Sequence, residues 1–222
     1  NEYAVIVDVE ATPARTYDEV AATKIMIART KRCLWLKPKR LAADTAYGTG
    51  KFLGWLATQH IAPHIPVWDR SKRDDGTLSR AAFAYDRKGD VYFCPQGKLL
   101  TTTGKVHDGK TILYRTSTFD CNPCPLKPRC CPNTPFRKIP RDLHEAARDH
   151  ARSLAGTEPF ERSRQERKKV EMLFAHLKRN LRFERLRLRG LTGARDEFLL
   201  AATVQNLRKL ARLASPTPGP AT

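Results

Sequence analysis

The chain holds 222 residues, with 41 Lys or Arg against 23 Asp or Glu and a net charge of +18. Its hydrophobic fraction of 41% is enough to bury a core and excludes a fully disordered polymer. No apolar run approaches the roughly 18 residues of a membrane span, and a positive surplus of this size draws polyanions, nucleic acid before anionic membrane or acidic protein.

The chain opens on Asn1 and runs directly into an apolar stretch with no basic-flanked leader, so it reads as a piece of a longer protein. Residues 3–9, YAVIVDV, are predicted as a buried strand, and the next residues as a loop. Tyr17 to Lys31 carries Val20, Ala21, Ile25 and Ile27 or Ala28 near helical spacing, and Lys37-Pro38 breaks that pattern. Residues 40–44 are predicted as a short strand ending on Asp44, followed by a turn over Tyr47–Gly50. Lys51 to Gln59 reads as a helix with Phe52, Leu53, Trp55 and Leu56 on its apolar face, and Ala62 to Val67 as a strand bracketed by prolines. Alternating strands and helices predict an α/β layer.

After Trp68 the composition changes. Residues 69–80 are polar, and residues 81–135 offer short strands at Val91–Phe93 and Ile112–Tyr114 among Gly, Pro and Cys, as in a small inserted module. Helices are predicted over Arg141–Leu154, Phe160 to about Leu188 and Arg195–Leu213, and the Pro-rich tail reads as disordered linker. The domain reading is therefore 1–68, a cysteine-rich insertion over 69–136, a helical part over 137–213 and a tail over 214–222. There are no internal repeats.

Five of the six cysteines fall between Cys94 and Cys131. With no secretory segment the expected compartment is reducing, so the cluster points to metal rather than to disulfides. Cys121-x2-Cys124 is a knuckle that sets two thiolates about 2.3 Å from one zinc. Cys94 and Cys130 complete a structural Zn²⁺ site, Cys131 can substitute for Cys130, and His107 is a weaker candidate. Four thiolates leave no open position for a catalytic water. The plainer alternative is a set of free thiols on a loop-rich insertion. Cys33, at a helix end, reads as a small packed residue.

Between Arg162 and Arg189 there are 11 basic residues, opposed only by Glu166, Glu171 and Glu184. Val170, Leu173, Phe174 and Leu177 are expected to form the buried stripe of this helix. Glu171 lies beside that stripe, with Arg167 and Lys178 on much the same side. On spacing alone, Glu171 reads as a helix salt-bridge partner of Arg167 and Lys168, and Asp44 as an exposed turn residue.

Arg167-x3-Glu171-x6-Lys178 resembles the third-carboxylate signature of DDE transposases of bacterial insertion sequences, and Asp44-x2-Tyr47 resembles their second-carboxylate signature. Together with the cysteine insertion, KKVEMLFAHLKR (168–179), LRLRG (186–190) and LLAATVQNLRKL (199–210), the resemblance covers nearly the whole chain apart from its tail. It implies an N-terminally truncated ribonuclease-H-like core with a cysteine-rich insertion and a helical C-terminal part. It also implies DNA strand cleavage and transfer in which carboxylates hold two divalent ions, Mg²⁺ or Mn²⁺, roughly 3.5–4 Å apart. Asp44 and Glu171 would be the catalytic ligands present. Arg167, Lys178, Lys168, Lys169, Arg179 and Arg182 would grip DNA phosphates. The implied setting is the bacterial cytoplasm at the nucleoid, with transposon-end and target DNA as partners, a homodimer in synapsis and no membrane. Two departures stand out. Arg164 occupies the place of the signature's Tyr, and the first carboxylate has no clear match: it would lie upstream of Asn1, with Asp8 the only acidic candidate in the first strand. The fragment is therefore expected to be inactive or nearly so by itself. The rival readings are a zinc-stabilised basic DNA-binding module without catalysis and, weakest, a metal-independent scaffold.

Overall fold

The structure is a computed structural model that describes residues 5–13, 18–69, 75–180 and 182–214. The helix α1 (Asp18–Leu34) is followed by β1 (Arg40–Ala42), a 3-10 turn over Thr45–Tyr47, α2 (Gly50–Thr58) and β2 (Ala62–His64). Then come β3 (Ala84–Asp86), β4 (Val91–Phe93), β5 (Leu99–Leu100), β6 (Val106–His107) and β7 (Thr111–Arg115). The short helices α3 (Thr118–Cys121) and α4 (Lys127–Cys130) precede β8 (Lys138–Asp142), α5 (Glu145–Leu154), α6 (Glu158–Asn180) and α7 (Gly190–Ala214). The chain is thus mixed α/β, with small sheets and long helices. It divides into two units, one formed by residues 1–43, 60–64 and 154–222, the other by 44–59 and 65–153.

In the first unit β1 and β2 pair in parallel, Leu41 opposite Pro63, and α6 packs on both strands. His64 Nδ1 meets Ser163 Oγ at 2.7 Å in a buried pair, and Phe160 lies against the imidazole at 5.7 Å. Burial, with the Arg40 charge nearby, lowers the His64 pKa. The helix α7 is tied to α6 by the Gln205 amide donating to the Leu173 carbonyl at 3.0 Å. The apolar run predicted as a strand over 3–9 takes no strand pairing over its described residues 5–9. Instead, the Ile6 N–H donates to the Asn206 side chain at 2.9 Å, and the Asn206 amide returns a bond to the Ile6 carbonyl at 2.7 Å. A side-chain amide on α7 thereby satisfies backbone groups that a sheet would otherwise have to pair.

The second unit is built from two three-stranded antiparallel sheets, β3-β4-β5 and β6-β7-β8, bridged at Thr101 and Arg115. Phe83, Tyr92, Leu100, Tyr114 and Ile139 form its core together with Cys121, Cys130 and Cys131. Phe52, Leu53 and Leu56 of α2 are buried, as the apolar face required. Close approach explains the small residues around α2. A Cβ on Gly50 would stand 2.5 Å from the Asp142 carboxylate, and one on Gly54 would collide with the His144 ring.

The element boundaries depart from expectation at identifiable points. The predicted helix over 141–154 begins only at Glu145, because residues 138–142 extend β7 into a paired ladder and Asp142 then caps the turn by accepting the His144 N–H. The basic helix ends at Asn180 rather than near Leu188. The expected stripe on α6 is buried only at Leu177 and partly at Leu173, and Val170 and Phe174 are exposed. Cys33 is exposed rather than packed. The linker expected over the tail falls on 215–222, outside the described residues.

Candidate functional site

Asp44 is the N-cap of the 3-10 turn and is exposed. Its backbone is extended, and its Oδ1 accepts the Ala46 N–H at 2.9 Å. This is the ordinary capping geometry of Asp, which satisfies a turn N–H that would otherwise lack a partner. Tyr47 packs edge-on against Phe52 at 5.7 Å. Gly48 follows because a Cβ there would strike the Pro66 carbonyl, while the Trp68 N–H donates to the Gly48 carbonyl at 3.0 Å. The Asp-x2-Tyr-Gly sequence is therefore a tightly backed turn that holds a carboxylate in solvent.

Glu171 lies on α6 with its side chain 59% exposed and pairs with Arg167 at 3.2 Å one turn earlier. Lys178 is exposed two turns on, so Arg167, Glu171 and Lys178 share a face. Arg164 is on this face as well and pairs with Glu161 at 3.1 Å. Lys168, Lys169, Arg179 and Arg182 are also exposed. Such a surface offers an anion-binding stripe with one carboxylate inside it. Glu166, by contrast, is held by Arg40 at 2.9 Å.

Asp8 is engaged elsewhere. Both of its oxygens accept from Arg29, at 2.8 and 2.9 Å, and Glu10 takes a third guanidinium nitrogen at 2.8 Å. These bonds, Asp8 first, push the Arg29 pKa up. Among the described residues, no group of three or more His, Cys, Asp or Glu is already arranged to hold a metal ion. Asp44 and Glu171 nonetheless fit a divalent ion in chemistry, since each presents hard oxygen donors to solvent.

The cysteines converge more than spacing required. Cys94, Cys121, Cys124, Cys130 and Cys131 all line one cavity of about 20 Å³, room for roughly one water-sized sphere. All are free thiols. Burial raises the Cys130 thiol against the opposing pull of Arg137 and pushes Cys131 up to about 11. His107 is not among the lining residues.

Sequence reasoning missed the polar partners of this unit. Glu145, only 1% exposed, is ringed by Arg80 at 2.7 Å, Arg152 at 2.8 Å and Arg148 at 3.1 Å. Burial alone would raise its pKa, but the Arg152 bond and the three guanidinium charges hold it below the usual range. Asp90 accepts from both Tyr85 and Tyr114 at 2.6 Å, and Arg141 stacks 3.6 Å from the Tyr85 ring centre. Glu145 in the first turn of a helix and Asp90 in a tight hairpin look like commonplace surface residues in sequence: Arg148, Arg152 and Tyr85 are ordinary near neighbours along the chain, and no spacing betrays the distant partners Arg80 and Tyr114 that complete the two sets.

A family model described as a transposase DDE domain matches residues 93–211, more than half of the chain. The chain belongs to this DDE transposase family. No curated protein and no solved structure matches it. The matched segment contains Glu171, its flanking cations and the cysteine cluster, whereas Asp44 precedes it. Membership points to a transposase, an enzyme acting on DNA, in a family that uses divalent metal ions. No helix among the described residues is long and apolar enough to cross a membrane.

Proposed function

We propose that the chain is the C-terminal part of the catalytic domain of a bacterial insertion-sequence transposase with a ribonuclease-H-like core, cutting and joining DNA strands by phosphoryl transfer. The observation that carries this reading is the family match over 93–211 together with Glu171 standing between Arg167 and Lys178 on one exposed face of α6. Asp44 and Glu171 would hold Mg²⁺ or Mn²⁺, which supplies Lewis acidity at the scissile phosphate and lowers the pKa of the attacking hydroxyl. Arg167 binds phosphate oxygens through its fork, Lys178 acts as a point charge, and Lys168, Lys169, Arg179 and Arg182 follow the backbone. The cysteine-rich stretch is a zinc-stabilised insertion between the two carboxylates. A homodimer would bring two DNA ends together.

Only two of the three carboxylates of such a site match this sequence, and Asp8 is committed to Arg29. The chain alone is therefore expected to nick transposon-end DNA poorly with Mg²⁺, and efficient cutting would sink that expectation. In the complete transposase, Asp44→Ala and Glu171→Ala should each abolish cleavage while leaving DNA affinity nearly unchanged. If neither affects cleavage, the enzyme reading fails. The second reading, a zinc-stabilised basic module that binds DNA without chemistry, is supported by the cysteine-lined cavity and would then stand.

A further inference from the structure

We propose that residues 182–189 form a preset clamp for the DNA backbone, in which Glu197 of α7 positions Arg185, Arg187 and Arg189 against phosphates. The choice of DNA rests on the transposase reading above. The clamp adds to that reading a second contact region and the residue that builds it.

Sequence sets the charge. Arg182, Arg185, Arg187 and Arg189 stand in this stretch against one acid, Glu184, and Leu186 and Leu188 alternate with the last three. All four arginines are exposed, and among the described residues none of them is in an ion pair. The stretch belongs to no helix or strand. On a loose loop, such side chains would lose much conformational freedom on binding.

Packing supplies the missing order. At the end of α6, Arg182 turns the chain with φ 52°, a left-handed conformation that usually falls to Gly. The Phe183 N–H then returns to the Leu177 carbonyl at 3.1 Å, and the Phe183 ring stands edge-on to Phe198 of α7 at 5.7 Å. Further on, Glu197 Oε1 accepts the Arg187 N–H at 2.7 Å and the Leu188 N–H as well. Leu188 lies so close to α7 that a Cβ on Gly193 would stand 2.6 Å from its own Cβ.

Glu197 is the informative residue. A carboxylate among four arginines would ordinarily pair with a guanidinium. This one is half-buried and gives one oxygen to two backbone N–H groups. The loop is thereby fixed while its guanidiniums stay unopposed. Order established before binding lowers the cost of binding, and guanidinium forks suit phosphate oxygens. The helix α6 ends about 14 Å along its axis from Glu171, roughly four phosphates of one DNA strand. The clamp therefore holds backbone away from the phosphate that Glu171 serves, and Glu197 is a positioning residue.

The test is binding of the full chain to a labelled mixed-sequence DNA duplex, read by fluorescence anisotropy across a salt series. Wild type should show a steep fall of log K with log salt. The combined Arg185→Ala, Arg187→Ala and Arg189→Ala variant should make that slope shallower by about 2.7, at about 0.9 per phosphate contact. Glu197→Ala removes a negative charge from a cationic surface, which by charge alone tightens DNA binding. Positioning gives the reverse: a slope shallower by at least one contact, and binding about eightfold weaker at 0.1 M salt relative to 1 M. Glu197→Gln, whose amide oxygen still accepts both N–H groups, should bind at least as tightly as wild type.

A wild-type chain without salt-dependent DNA binding overturns the DNA-acting reading and the clamp together. Steep wild-type binding with an unchanged slope in the triple variant overturns the clamp alone. So does a triple variant that keeps DNA binding but loses binding to polyglutamate, which would make an acidic protein the partner. Glu197→Ala binding as tightly as wild type overturns the positioning role. If Glu197→Ala does not fold, the triple variant still tests the clamp, since its changes are all exposed, and weakened binding by folded Glu197→Gln overturns the positioning role.

Discussion

In the unit around the cysteines, the most deeply buried side chains are large: Tyr114, Phe52, Leu53, Leu56, Leu100 and Ile139. In the unit built on α6 and α7, buried positions beyond Ile61, Phe160 and Leu177 are mostly small or polar, among them Ala22, Ser163, Ala194, Ala202 and Gln205, while Met172, Phe174 and Leu200 face solvent. The ionic groups divide in the same way. Glu145 and Arg141 are buried in the first region, whereas Glu171, Lys168 and Lys178 are exposed in the second. Charge that is enclosed by partners specifies a packing arrangement. Charge left in water, on a face where cations outnumber carboxylates, remains free to meet an external polyanion. The cysteine unit thus spends these polar groups on its own structure, and within the other unit the contrast belongs to the outer face of α6, since Arg29, Asp8 and Glu10 there enclose one another as Glu145 and its arginines do.

The sharpest way to break this contrast is to remove Glu145. Glu145→Gln leaves Arg80, Arg148 and Arg152 around a neutral amide, and loss of one partner from a buried ionic set costs about 3–5 kcal/mol. Urea unfolding followed by tryptophan fluorescence reads this region well, since Trp55 and Trp68 both lie in it. The pH dependence has a definite sign. The folded Glu145 pKa is depressed, so its contribution is present above the ordinary carboxylate range and is lost as pH falls through the lower folded value. Wild type should lose stability on acidification over that window, and the Gln variant should lose less. Equal slopes would show that Glu145 is not what the arginines hold.

A matched pair of milder changes compares the regions directly. Tyr114→Phe removes one of the two hydroxyls donating to Asp90, a bond to a charged acceptor worth about 1.5–3 kcal/mol. Ser163→Ala removes the hydroxyl partner of buried His64, where a neutral bond contributes about 0.5–1.5 kcal/mol. The ordering, Tyr114 above Ser163, follows from the charge on the acceptor. A larger loss at Ser163 would mean that the α6 region depends on its polar pairs as heavily as the cysteine region does.

What was legible in the sequence divides along similar lines. The helix α2 was readable because Phe52, Leu53 and Leu56 repeat at helical spacing and a single face is buried. The basic helix was readable over its first part, where good helix formers run without Gly or Pro from Phe160 on, but its end was not: seven of the eleven cations lie on α6, and the other four, Arg182 to Arg189, fall beyond Asn180. The run at 5–9 was not, since its backbone partner is Asn206, and no local pattern announces a bond two hundred residues away. Strand β8 was hidden inside a helical composition, and only pairing with β7 extends it. At the candidate site, Asp44 and Glu171 were expectations of a motif resemblance, while the convergence of the cysteines on one cavity was foreshadowed by their clustering. Arg137, which lines the cysteine cavity, was invisible because its significance is spatial.

The smallest effects concern the outward face of α6, and they test whether its charge is functional or merely solvating. Lys168→Ala and Lys178→Ala remove exposed ammonium groups that have no packing role. Each should therefore leave stability within about 0.5 kcal/mol of wild type. Their effect should appear in DNA binding, where each lost phosphate contact lowers the slope of log K against log salt by about 0.9. Arg167→Ala should do the same and, because it also frees Glu171 from its pair, should alter cleavage more than affinity. An unchanged salt slope in all three variants would mean that the stripe only solubilises the helix, and the DNA surface would then have to be sought elsewhere on the chain.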